Sequence, residues 1–179
     1  MSGWGKYALG ALIVAIIAHL ITVNMLPGIA MNTAMDRVGG HGLKLNQWTL
    51  SDRVSEDSRA IVRPSPDFAY SACVYDLSHG PVRIAVAPWS AYWSLSLYGD
   101  NSDNYFVLDD REAHDGAEIT LIRAGSEPPE HAAQPVESPS TRGIAIIRRL
   151  APTVQAYDDA RTASHDDACE PYHEPPPRP

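Results

Sequence analysis

FAYSACVYDLSHGPVRIAVAPWSAYWSLSLY, residues 68–98, is the stretch whose reading decides the fold. Its period is two. Phe68, Tyr70, Ala72 and Val74 fall on one side of an extended segment, and Ala69, Ser71, Cys73 and Tyr75 on the other. Ser78-His79-Gly80-Pro81 reads as a turn, because glycine supplies unusual φ values and proline fixes the next one. Val82, Ile84 and Val86 then alternate with Arg83, Ala85 and Ala87, and Trp93, Leu95 and Leu97 with Tyr92, Ser94, Ser96 and Tyr98. Outward from this stretch, Gly99-Asp100-Asn101-Ser102 is the strongest turn in the chain. Tyr105 to Leu108, Glu118 to Ile122 and Gly143 to Leu150 supply three further strands. Short alternating strands punctuated by turns predict a mainly β chain, an antiparallel β-sandwich or partial barrel. Ala124 to Ser140, with Pro128, Pro129, Pro135 and Pro139, reads as a long surface loop. Thr153 to Ala163 reads as a short C-terminal helix with Pro152 in its first turn.

Composition narrows the function classes. The chain has 179 residues and a formal net charge of -8, without the clustered Lys/Arg footprint of a nucleic-acid binder. Two cysteines and no CxxC pair exclude a disulfide-rich scaffold and a cysteine zinc site. Fifteen prolines and twelve glycines argue against a helical bundle.

From Tyr7 to Met35 there is no Asp, Glu, Lys or Arg. Tyr7 to Leu26 would span roughly 30 Å as a helix, the thickness of a bilayer's hydrocarbon core. Pro27-Gly28 is expected to stop that helix at the interface. The competing reading is a cleaved signal peptide, for which Gly28-Ile29-Ala30 is the best and a poor cleavage site. The expected division is a cytoplasmic stub (1–6), a transmembrane anchor (7–26), a linker (27–58), a periplasmic β-domain (59–174) and a disordered Pro-rich tail (175–179). Lys6 favours a cytoplasmic N-terminus, although Arg37 and Lys44 follow on the other side. The location expected is the inner membrane, single-pass, with the C-terminal domain exported. There Cys73 and Cys169 can pair, closing a loop of roughly 97 residues worth up to about 4–5 kcal/mol in the chain-entropy model. The alternative is a buried free thiol at Cys73 and an incidental surface thiol at Cys169.

At Arg63 to Ser71 the sequence is RPSPDFAYS, followed by VYDLSHGPVRIAV, then YWSLSLYGDNSDNYF and RGIAIIRRLAP. In this order the segments resemble the domain-of-unknown-function 1254 family, over about Arg59 to Leu150. Arg63, Pro64, Asp67, Tyr70 and Ser71 sit on the family's R-P-N-x-D-T-x-Y-S segment, with Ser65 in place of Asn and Phe68 in place of Thr. The resemblance implies no settled activity. It implies a companion domain of the domain-of-unknown-function 1214 type, expected here on a separate protein.

Several groups carry chemistry. Ser71 with His79 and Asp67 or Asp76 has the residue types of a nucleophilic triad, but no nucleophile elbow surrounds Ser71, which favours a serine that bonds the backbone. Asp100, Asn101, Asp103 and Asn104 place oxygen ligands in one turn without EF-hand spacing. His165, Asp166, Asp167, Cys169, Glu170, His173 and Glu174 mix hard and soft ligands at no recognised spacing. Accordingly no catalytic residue, metal or cofactor is assigned. Arg63 and Asp67 lie four apart around a Pro-x-Pro bend within reach of Tyr70, either as a structural brace or as a fork for an anionic ligand. The aromatic run from Trp89 to Phe106 offers Tyr92, Tyr98 and Tyr105 as interface residues. The leading reading is a membrane-anchored envelope protein whose β-domain docks a companion. The alternative is a small-ligand binding protein or hydrolase using Arg63, Asp67, Tyr70 and Ser71.

Overall fold

A computed structural model of the chain describes residues 3–39, 44–58 and 63–174. The expected tail, 175–179, lies outside them. In chain order the elements are α1 (Gly3–Gly39), β1 (Trp48–Leu50), β2 (Phe68–Asp76), β3 (Val82–Val86), β4 (Trp93–Gly99), β5 (Asn104–Asp109), β6 (Ala117–Arg123), β7 (Pro135–Ser138), β8 (Arg142–Leu150), α2 (Val154–Ala163) and β9 (Ala168–Pro171), with a single 3-10 turn, Ser164–Asp166, between the last two.

The strands form two sheets, ordered β1-β2-β8-β4-β5 and β7-β6-β3-β9. The alternation read from the sequence explains why they stack. Cys73, Tyr75, Trp93, Leu95, Leu97, Ala145 and Ile147 project from the five-stranded sheet onto Val82, Ile84, Val86, Ile119, Leu121 and Val136 of the other, and all are buried. The result is a sandwich and not a closed barrel, because β5 and β7 end their sheets without pairing to each other. All strand pairs are antiparallel except β6–β7.

The structure corrects four local expectations. First, Pro27 does not stop α1, which continues for twelve residues beyond it to Gly39. Proline removes one intrahelical bond, but Met31 and Met35 bury themselves against Val74 and Ile144, so packing holds the helix together. Residues 27–39 are therefore helix and not linker. Second, β7 lies inside the segment read as a long loop; Val136 is its inward anchor. Third, Pro152 precedes the second helix: Thr153 is the N-cap, its Oγ1 accepting from the Ala156 amide at 3.1 Å. Fourth, β1 and β9, of three and four residues, are too short to show a period of their own.

Two bonds hold β9 and the turn before it. Cys169 is joined to Cys73 by a disulfide across 96 residues, bonding the two sheets together. Two residues earlier, Asp167 accepts both ends of the Arg149 guanidinium, at 2.6 and 2.8 Å, and also the Ala87 amide at 2.9 Å. Both side chains of this pair are almost fully buried, at 2% and 0% exposure. On the outer face of the four-stranded sheet Arg83 makes a second fork to Glu118 and reaches Glu170, but there water competes for every group.

These contrasts set expected stabilities. Arg149→Leu or Asp167→Asn strands a buried charge or half of a buried pair and should cost about 3–5 kcal/mol. Arg83→Ala should cost no more than about 1 kcal/mol. Urea unfolding followed by tryptophan fluorescence measures both; equal losses would overturn the assignment of Arg149 as the internal clamp. Removing the disulfide as Cys73→Ser/Cys169→Ser should lower stability by about 2–5 kcal/mol, read in the same titration against the oxidised protein.

Candidate functional site

Side chains that point away from the core of the five-stranded sheet are those at Phe68, Tyr70, Ala72 and Val74 on β2, Tyr98 on β4, and Ile144, Ile146 and Arg148 on β8. A solvated sheet face would be polar. This one is apolar at one end because the second half of α1 lies across it, where Met31, Met35, Ala34 and Val38 pack on Val74, Ile144, Tyr98 and Ala72. The helix meets the domain at the β4–β5 turn: Ser102 Oγ donates to the Pro27 carbonyl at 2.8 Å, and Gly28 faces the Asp100 carbonyl.

The other end of the face is open. There Arg63, Pro64, Ser65, Phe68, Tyr70, Tyr92, Ile146 and Arg148 line a cleft of about 380 Å³. Strand pairing builds it, since Tyr70 is directly opposite Arg148 and Phe68 opposite Leu150. Phe68 stands between Tyr70 and Tyr92, with ring centroids at 6.3 and 6.0 Å, the second pair edge-to-face. Tyr70 Oη accepts the Ser65 amide at 3.0 Å, which fixes the Pro-x-Pro bend and leaves the phenol proton to donate. Arg148 reaches the Tyr98 hydroxyl at 3.3 Å. Among the described residues neither Arg63 nor Arg148 has a carboxylate partner, and no acidic side chain lines the cleft.

The four ligand candidates from the sequence are thus divided. Arg63 and Tyr70 share this cleft. Asp67 is exposed and does not line it; its carbonyl accepts the Ala151 amide at 2.7 Å, and it forms no ion pair with Arg63. Ser71 points to the opposite face, buried to 2% exposure, at the floor of a second cleft of about 320 Å³ with Trp48, Tyr157, Arg161 and His165. His79 stands on the turn beyond β2, with Asp76 at the strand's end roughly 17 Å along it from Ser71, so no Ser71–His79–Asp76 triad is assembled. Asp76 instead accepts the Ser78 amide at 2.8 Å and faces Arg142.

The three interface tyrosines are also dispersed. Tyr92 is exposed, Tyr98 is half covered beside α1, and Tyr105 turns inward. Tyr105 Oη meets Tyr75 Oη at 3.0 Å, and Tyr75 Oη donates to the Tyr98 carbonyl and adjoins Ser138 Oγ. Burial, with Tyr75 beside it, pushes the Tyr105 phenol far above its ordinary range, so it stays protonated. This knot needs Gly143, where a Cβ would collide with the Tyr75 hydroxyl and the Tyr98 carbonyl.

The ligand clusters resolve into structural bonds. Asn101 and Asp103 bond each other within the turn, at 2.6 and 3.1 Å. Asp167 and Cys169 are consumed by Arg149 and Cys73. Glu130, His131 and Glu174 approach one another at the exposed surface.

Sequence reasoning missed Arg148 and Ile146. The signal was present: period two along Gly143–Leu150 sends Arg148 and Arg149 to opposite faces, one toward Tyr70 and one toward the core.

No curated protein sequence matches the chain. Its fold is similar to that of the VPA0106 protein from Vibrio parahaemolyticus, with a TM-score of 0.56 at 13% identity over 86% of this chain; the chain spans 42% of the length of that protein. An uncharacterized protein from Burkholderia cenocepacia aligns over 63% of this chain and 33% of its own, at 16% identity and a TM-score of 0.44. The sequence pattern of the family described as "Protein of unknown function (DUF1254)" matches residues 45–171, from the bridge before β1 to the end of β9, and the chain therefore belongs to that family.

Proposed function

We propose that the chain is a membrane-tethered docking module of the bacterial envelope. In this reading α1 crosses the inner membrane once, the sandwich stands in the periplasm, and it receives a companion domain of the domain-of-unknown-function 1214 type. The observation that carries it is the continuity of α1. Among the described residues one helix is long and apolar enough to cross a membrane, none of its apolar span is buried, and the same helix ends packed on the sheet through Met31 and Met35. A β-domain joined in this way is held at a set height and angle above the bilayer, which suits presentation of a surface. The disulfide supports an oxidising compartment.

The surface best suited to docking is the β5 edge. β5 is the longer of the two end strands of its sheet and carries no Lys, Arg or Pro to block strand addition. Val107 is 53% exposed on it, and a groove of about 540 Å³ runs beside it along Phe106, Leu108, Ala113 and Ala117. That a similar fold forms less than half of the longer Vibrio chain is consistent with a domain built to sit against another.

Two measurements test this reading. Alkaline carbonate should leave the whole chain in the membrane with its N-terminus intact; a soluble product beginning near Met31 would instead make the apolar segment a cleaved signal. A photo-crosslinking residue at Val107 should capture one companion protein in intact cells, while the same residue at the exposed loop position Glu127 should not. Val107→Arg should abolish the capture and change unfolding stability by no more than about 0.5 kcal/mol. Equal capture at both positions would refute β5 as the docking edge.

A further inference from the structure

We propose that the open cleft at the end of the sheet face away from α1's contact with the β4–β5 turn is a binding site for a small organic carboxylate with an apolar, preferably aromatic, body. The cleft has two halves of different chemistry. Phe68, Tyr92 and Ile146 offer an apolar wall whose rings are already packed edge-to-face, so little side-chain freedom is lost on binding. Arg63, Arg148 and the Tyr70 hydroxyl supply donors only: two guanidinium groups without carboxylate partners, and a phenol whose oxygen is already occupied by the Ser65 amide.

Two arginines without carboxylates line one cleft in an acidic chain. Its net charge is -8, and Arg83, Arg142, Arg149 and Arg161 each face a carboxylate. Around Arg63 and Arg148 the described residues place none, so the anion is left to be supplied from outside. Guanidinium forks match a carboxylate in two parallel hydrogen bonds, and the neighbouring rings exclude water from one side of them. A volume of about 380 Å³ admits a small molecule and not a folded segment. Asp67, next in the chain to Phe68, is held outside by the bond between its carbonyl and Ala151.

The test uses the full chain in nanodiscs of phosphatidylcholine, titrated calorimetrically with phenylbutyrate and with its neutral amide, empty discs being subtracted. Phenylbutyrate should bind saturably, and the amide about tenfold more weakly, as expected for loss of a charge-assisted pair. Arg63→Gln/Arg148→Gln should weaken the acid about tenfold and leave the amide unchanged. Arg63→Gln alone, at an exposed position whose folding is not in question, should weaken it measurably. Saturable binding that does not distinguish acid from amide, or that ignores both arginine changes, would overturn the proposal, as would no saturable binding at all. Loss of phenylbutyrate binding when phosphatidylglycerol is added to the discs would identify a lipid headgroup as the anion and overturn a soluble carboxylate.

Discussion

Arg149 and Arg148 are neighbours on β8, and a pleated strand sends neighbours to opposite faces. One of the two must therefore enter the sandwich. A guanidinium that enters needs acceptors, and Asp167 and the Ala87 carbonyl supply them to both terminal nitrogens, while Nε has none among the described residues. Asp167 lies in the connection between the 3-10 turn and β9, so satisfying Arg149 also fixes where the C-terminal segment lies. Cys169 follows two residues later and faces Cys73. The buried pair places the strand, and the covalent bond then ties it to the other sheet. Ion pair and disulfide act on the same segment by different physics, one by forbidding an unpaired charge, the other by restricting the unfolded chain.

The outer face of the five-stranded sheet obeys a second constraint. An apolar sheet face must be covered, and α1 covers only the end near the β4–β5 turn. Pro27 marks the change in what the helix is doing: before it the side chains face outward with none buried, after it Met31, Met35 and Gly39 are buried on the domain. A proline in mid-helix usually marks a kink or a stop because its missing donor costs stability. Here that loss coincides with the point where tertiary packing begins, and Ser102 adds a hydrogen bond to the Pro27 carbonyl.

How much of this was legible in the sequence follows from length and locality. The long alternating strands, β2, β4 and β8, announce themselves because five or more residues establish a period. β1, β7 and β9 do not, since each is only three or four residues long and exists by pairing with a strand outside its own stretch of sequence. The continuation of α1 past Pro27 was hidden for the same reason: its partners, Val74 and Ile144, are far away in sequence. The disulfide was legible as an inference from compartment, not from spacing. At the candidate site, Arg63 and Tyr70 were legible from their shared segment, whereas Asp67 and Ser71 part from them because side chains on one strand diverge. Arg148 joins them through register alone, opposite Tyr70 across the β2–β8 ladder.

The same register sets the helix contact, the β5 edge and the cleft on different parts of one sheet. Strand pairing puts Gly99, Gly143 and Tyr75 at one end of the sheet and Tyr70, Arg148 and Ser94 toward the other, roughly 17 Å away along the strands. The helix contacts the first end, and the arginines converge at the second. β5 lies at the sheet's side, one strand beyond β4. At the first end the phenols of Tyr75 and Tyr105 meet in the interior, and Gly143 leaves them room. At the far end Tyr70 accepts the Ser65 amide of the Pro-x-Pro bend, and exposed Arg63 lines the same cleft. The buried phenol pair at one end and the Tyr70–Arg148 pair at the other are consequences of one ladder, in which parity along the strand sets the face each side chain takes.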